Sequence, residues 1–235
     1  LLGGGLTVAL AAFAWLAFPQ FPEKVRQHRH MVLRRRYWLY YLLTFMSGAR
    51  RQIFIVFAGF LMVEKFGYSV GQITLLFLIN AVLNVVFAPR IGRLIGRWGE
   101  RRALVFEYLG LIGVFAAYAF VENANVAAGL YIVDHLFFAL AIAIKTYFQK
   151  IADPRDIAAT AGVGFTINHI AAVLLPAAFG FLWLVSPAAV FLAGSAMAAV
   201  SLLLSLNVPL APAPGNEVLL GRRLSGPAPA PAAAE

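Results

Sequence analysis

Seven apolar runs, at roughly 1–18, 37–63, 70–89, 103–121, 126–147, 158–183 and 187–206, leave little of this 235-residue chain to form a water-facing surface. Each is close to the ~20 residues with which an α-helix crosses bilayer hydrocarbon, the first being shorter. Composition agrees with that reading: 62% of the residues are hydrophobic and only 12% are charged, with a mean hydropathy of +0.82. A soluble domain of this length needs more polar surface to cover its core. The expected fold is therefore all-α, a polytopic bundle of membrane helices.

Connections such as "ENAN" (122–125) and the turn at Ser186-Pro187 are tight, which makes sequential helices antiparallel. Basic residues then alternate between the two ends. The loop 19–36 carries six Lys/Arg and the stretch 90–102 carries five, while 148–157 adds Lys150 and Arg155. The opposite side has Lys65, offset by Glu64, together with Glu122. By the positive-inside rule the basic loops are cytoplasmic, which predicts a multi-pass protein of the cytoplasmic (inner) membrane with a cytoplasmic C-terminus. The net charge of +9 thus reflects topology, and no basic, aromatic-interleaved face points to nucleic acid. Without cysteine there are neither disulfides nor thiolate metal sites. The opening Leu-Leu-Gly-Gly-Gly has no basic flank and reads as a membrane helix cut open at 1–18, with residues missing upstream. The Pro- and Ala-rich tail 207–235 is expected to be a disordered cytoplasmic segment.

Polar residues inside the spans are few. Arg50 and Arg51 stand side by side in the second run, at a cost on the order of 5–7 kcal/mol if both faced hydrocarbon. The third run carries Asn80 and Asn84, the fifth Asp134 and His135, and the sixth Asn168 and His169. All lie within about one helical turn, ~5 Å, of the midpoints of their runs, so they converge at one depth. Tyr40, Thr44, Ser47 and Arg51 follow the helical period as one stripe, and Tyr131, Asp134, Phe138, Ala141 and Lys145 form another. Arg51 and Asp134 are expected on the wet faces of their helices, with Arg50 turned about 100° away. Arg50, Arg51, Asn80, Asn84, Asn168 and His169 are candidate solute-binding residues; Asp134 and His135 are candidates for proton coupling. The competing reading is structural: an interhelical salt bridge to Asp134, with the histidines and asparagines as hydrogen-bonded packing residues.

Between the third and fourth runs stands "GRLIGRWGERR", Gly92 to Arg102. It resembles the Gly-x-x-x-Asp-Arg-x-Gly-Arg-Arg loop of the major facilitator superfamily, with Gly92, Arg97, Gly99, Arg101 and Arg102 at family positions. Gly96 replaces the Asp and Glu100 occupies a basic position, departures common in that motif's second copy. The resemblance implies a six-helix half over 37–206, preceded by the inter-half loop 19–36 and the end of a sixth helix. It also implies a gating role for Gly92, Arg93, Arg97, Gly99, Arg101 and Arg102. Arg97 and Arg101 are expected to engage Glu107, near the cytoplasmic end of the fourth run.

The function expected from these residues is secondary active transport of a small, possibly anionic solute by alternating access, coupled to protons. The partners implied are that solute, the lipid bilayer and an N-terminal six-helix half. No cofactor is implied. Two alternatives use the same residues: a non-transporting sensor or assembly factor of this fold, and a membrane metalloenzyme with zinc on His135, His169 and Asp134. The second lacks any HExxH-type spacing, and the chain is not read as an enzyme.

Overall fold

A computed structural model describes residues 2–18, 25–28 and 30–220. Among these, every regular element is helical. Helix α1 covers Leu2–Ala17. Six longer helices follow, each long and apolar enough to cross a membrane: α2 (Arg35–Phe66), α3 (Val70–Trp98), α4 (Glu100–Phe120), α5 (Ala124–Ile151), α6 (Pro154–Val185) and α7 (Pro187–Leu206).

Local chemistry sets the breaks between them. Gly67 ends α2 in the left-handed region at φ 67°, and a capping box between Ser69 and Gln72 starts α3. The Asn123 carboxamide accepts from the amides of Asn125 and Val126 to start α5. Ser186 caps α7, with Pro187 at its first position. The α3–α4 connection differs from the expected loop at 90–102. Helix α3 runs on to Trp98, and Gly99 alone makes the turn at φ 81°. Isolated glycines at 92 and 96 weaken a helix without stopping it, whereas only Gly99 takes a positive φ. Gly92, Arg93 and Arg97 are therefore helical residues, not loop residues. The α5–α6 connection shrinks in the same way, because α5 continues to Ile151.

Helices α4 and α7 pack most extensively, along buried stripes that include Leu104, Leu111 and Phe115 on α4 and Phe191, Gly194 and Ala198 on α7. Tyr118 stacks on Phe191 at 5.1 Å. Small residues bring helices close elsewhere. A Cβ built on Gly48 of α2 would lie 2.0 Å from the Asn168 carboxamide oxygen of α6, and one on Gly110 of α4 would lie 2.2 Å from the Phe137 ring of α5. Helices α3 and α6 expose most of their length, with Val85 and Leu184 on outward apolar faces suited to lipid.

The two ends of the bundle are fastened differently. At the basic end, the segment leading into α2 converges on Asp156 at the start of α6. Arg34 grips that carboxylate with two hydrogen bonds of 3.0 Å, while Arg36 and the Tyr37 hydroxyl each donate at 3.1 Å. His28 stands 3.4 Å from it. The bond to Asp156 holds the Arg34 guanidinium above its ordinary pKa. The far end closes on aromatic rings: Trp183 of α6 stacks on Phe57 at 5.4 Å and donates to Glu64 at 3.0 Å.

The tail departs from expected disorder over 207–220. Val208 and Val218 are fully buried, the Tyr147 hydroxyl donates to the Glu217 carbonyl at 2.6 Å, and Asn207 exchanges hydrogen bonds with Leu219 and Leu220. Its two valines find an apolar seat that composition alone does not reveal. Residues 221–235, 19–24 and 29, on which other tail and loop expectations fall, lie outside the described residues.

Candidate functional site

A cavity of about 540 Å³ lies among α2, α3, α5 and α6. The stripe expected on α2 lines it completely: Tyr40, Thr44, Ser47 and Arg51. Asn84 enters from α3, Asn168 from α6, and Phe138, Ala141 and Lys145 from α5. Its lining includes two cations, Arg51 and Lys145, and no carboxylate. Neither cation makes a hydrogen bond or ion pair among the described residues, although Arg51 is within electrostatic range of His135.

The lining residues are ordered by depth. They run from the basic end of each helix down to its midpoint, which Arg51 and Asn84 mark on α2 and α3. At 1.5 Å per residue, Arg51, Asn84, Phe138 and Asn168 all stand roughly 20–24 Å from that end, so together they form the floor. Below it, Tyr131 packs against Phe54 at 4.5 Å and Phe77 at 5.8 Å, continuing the aromatic closure. The cavity occupies the basic half of the bundle down to mid-depth, and aromatic rings pack beyond it.

Arg50 points away from this space. It is fully buried, its guanidinium 4.5 Å above the Tyr108 ring and 3.7 Å from a Glu107 carboxylate oxygen, and it donates to the Ser201 hydroxyl. Asp134 is buried within electrostatic range of both Arg50 and Glu107. Neither of its carboxylate oxygens has a hydrogen-bond donor among the described residues. Helices α2, α4, α5 and α7 thus enclose one guanidinium with two carboxylates. The charge that seemed least affordable in hydrocarbon is offset by burial beside acids and an aromatic face.

The sequence model described as Major Facilitator Superfamily matches residues 1–176 and again 40–232. The chain belongs to the major facilitator superfamily. It is a multi-pass membrane transporter. No curated protein and no solved structure matches it.

Within this superfamily member, three of the expected solute-binding residues share the cavity: Arg51, Asn84 and Asn168. The others are placed elsewhere. Arg50 is sealed in the charge cluster; Asn80, one turn below the floor, is buried without a hydrogen-bond partner on either side-chain atom among the described residues. His169 is exposed beside its own helix, its ring 3.9 Å from that of Phe165 and its Nδ1 2.9 Å from the Phe165 carbonyl oxygen. Asp134 is not on a wet face. Tyr131, Asp134 and Phe138 share the uninterrupted α-helix Ala124–Phe138, but at 1.5 Å per residue Tyr131 and Asp134 stand roughly 30 and 25 Å from the basic end, below the floor, so they are fully buried while Phe138, Ala141 and Lys145 line the cavity. His135, half-buried beside Asp134, is not part of the lining. No three His, Asp or Glu side chains converge on a metal-sized site among the described residues, so His135, His169 and Asp134 do not form one.

The expected engagement of Glu107 by Arg97 and Arg101 is also corrected. Glu107 lies two turns inside α4 and faces Arg50. The acid at the turn is Glu100, nearly buried at the N-terminus of α4 and 2.6 Å from the Lys150 ammonium of α5. A carboxylate there complements both the lysine and the helix dipole, which explains an acid where the motif has a base. Arg101 and Arg102 follow it on α4, outside the cavity. The sequence reading sets Glu107 beside Arg97 and Arg101 and so does not match it to Arg50. The signal was available: a lone acid inside an apolar run, matching the unexplained arginine.

Proposed function

We propose that the chain is the C-terminal half of a secondary active transporter that moves a small organic anion by alternating access. The observation that carries this reading is a mid-depth cavity lined by two unpaired cations and no carboxylate. Such a lining attracts negative charge, and the guanidinium of Arg51 offers a planar fork suited to a carboxylate or phosphate. Asn84, Asn168 and the hydroxyls of Thr44 and Ser47 supply hydrogen bonds around it. With the basic end cytoplasmic, the cavity is in its inward-open form, and the aromatic closure is the opposite gate. A six-helix partner half covers the exposed faces of α3 and α6. Gly99 and the Glu100–Lys150 pair form the turning point at the cytoplasmic mouth.

Proton coupling falls to the sealed cluster. Arg50, Glu107 and Asp134 all ionised would leave a net negative charge in a dry core, and one proton on the carboxylates balances it. Asp134 exchanges that proton between access states, with His135 on the cavity side.

Proteoliposomes containing the full-length protein, offered a panel of radiolabelled carboxylates and organophosphates, test both parts. Arg51→Lys is expected to weaken uptake of the transported anion, and Arg51→Ala to abolish it with the melting temperature unchanged. Asp134→Asn is expected to bind the solute but lose pH-driven accumulation. Undiminished uptake by Arg51→Ala would remove Arg51 from the site. Accumulation by Asp134→Asn that still follows the pH gradient would remove the proton role.

A further inference from the structure

On the outer side of α4, away from the cavity, Arg101, Arg102, Val105, Phe106 and Leu109 border a groove of about 450 Å³ whose other wall is Leu210 of the folded tail. We propose that this groove seats one anionic phospholipid, with its phosphate on Arg101 and Arg102 and an acyl chain running toward Leu109.

The argument rests first on how charge and apolar surface are arranged. Arg102, Phe106 and Leu109 fall at i, i+4 and i+7 and so share one face of α4. Phe106 lies about 6 Å and Leu109 about 10 Å deeper than Arg102 along the helix axis. That is the vertical order of a phospholipid, charged at the top and hydrocarbon below. Neither arginine forms a hydrogen bond or ion pair among the described residues, because the neighbouring acid, Glu100, is held by Lys150. The groove therefore presents two unsatisfied cations at the level where a bilayer presents phosphates.

The walls are also fixed. Phe106 meets Trp98 edge-on at 5.7 Å and Phe137 at 5.5 Å, so the aromatic floor is held from α3 and α5. Trp98 sits at the helix end, where indoles belong at a membrane interface. Leu210 is 66% exposed, yet its backbone stands beside Gly99, and the tail that carries it is pinned through Tyr147 and Asn207. An ordered chain segment holding an exposed leucine opposite Phe106 makes a two-sided slot and not merely a helix surface. Lipid is the occupant that satisfies cations and apolar walls together, and the groove is continuous with the lipid-facing side of α4.

Full-length protein in nanodiscs of phosphatidylcholine with graded phosphatidylglycerol, released and weighed by native mass spectrometry, tests this directly. Wild type is expected to retain one phosphatidylglycerol in preference to phosphatidylcholine. The double variant Arg101→Ala/Arg102→Ala is expected to lower phosphatidylglycerol retention about tenfold and leave phosphatidylcholine unchanged. Leu210→Glu, which removes neither arginine, is expected to lower it as well. Excess glycerol 1-phosphate is expected not to displace the lipid, since it lacks the chain that fills the groove. Equal retention of both lipids by wild type, wild-type retention by either variant, or displacement by glycerol 1-phosphate would each overturn the proposal.

Discussion

Arg50 and Arg51 are neighbours in sequence with the same side chain and opposite surroundings. Arg51 reaches an open cavity and meets no counter-charge, whereas Arg50 is shut between α4, α5 and α7 among Glu107, Asp134, Tyr108 and Ser201. About 100° of helix rotation separates a charge available to solute from a charge consumed by packing. The contrast teaches that a buried cation in a membrane helix is explained only by its neighbours. Open surroundings leave the charge available for binding; sealed ones make the fold depend on it.

The sharpest way to break the comparison is to remove each arginine in turn. Arg50→Ala leaves two acids without their cation and is expected to cost about 3–5 kcal/mol, seen as loss of monodisperse protein or a large fall in melting temperature. Arg51→Ala is expected to change stability by less than about 0.5 kcal/mol while abolishing anion uptake. Equal destabilisation by the two would end the distinction. Next comes repair: Arg50→Met combined with Glu107→Gln and Asp134→Asn replaces the charges with neutral groups and is expected to recover most of the stability lost in Arg50→Ala. A calorimetric melt of the triple variant no higher than that of Arg50→Ala would show that the cluster's worth is not electrostatic.

A smaller effect is expected at Gly48, where a Cβ would strike the Asn168 carboxamide. Gly48→Ala should cost about 1–3 kcal/mol by overpacking the α2–α6 contact and should weaken solute binding through the displaced Asn168. Denaturant titration beside a binding isotherm checks both. Smallest of all, Tyr147→Phe removes the hydrogen bond to the Glu217 carbonyl and is expected to cost about 1 kcal/mol, with faster proteolysis after Leu206 as the readout.

Helical period was enough to find the α2 stripe, because Trp38–Gln52 is uninterrupted α-helix through Tyr40, Thr44, Ser47 and Arg51. The same logic misplaced Tyr131 and Asp134, since a shared stripe with Phe138 says nothing of how deep the cavity reaches, and both lie below its floor. Span number and type were legible from hydropathy, but helix ends were not. Basic residues at 90–98 looked like loop, yet a helix can continue past the hydrocarbon with its arginines in the interface. Sequence could place Arg50 opposite Asp134 at mid-depth, but not bring Glu107 to within 3.7 Å of it. That contact depends on which helices touch, a tertiary fact.

The sealed arginine also sets a timetable. A ribosome making ~5–20 residues per second emits Glu107 several seconds after Arg50. Ser201 trails Arg50 by 151 positions. Throughout that interval α2 holds a guanidinium whose native companions do not yet exist. Its settled position in the bundle must therefore wait for α4, α5 and α7, so α2 is made before these companions and comes to rest only after them. A ribosome stall between codons 51 and 107 would leave Arg50 exposed for as long as the pause lasts, and at that stage quality control would meet an unpartnered charge in the membrane.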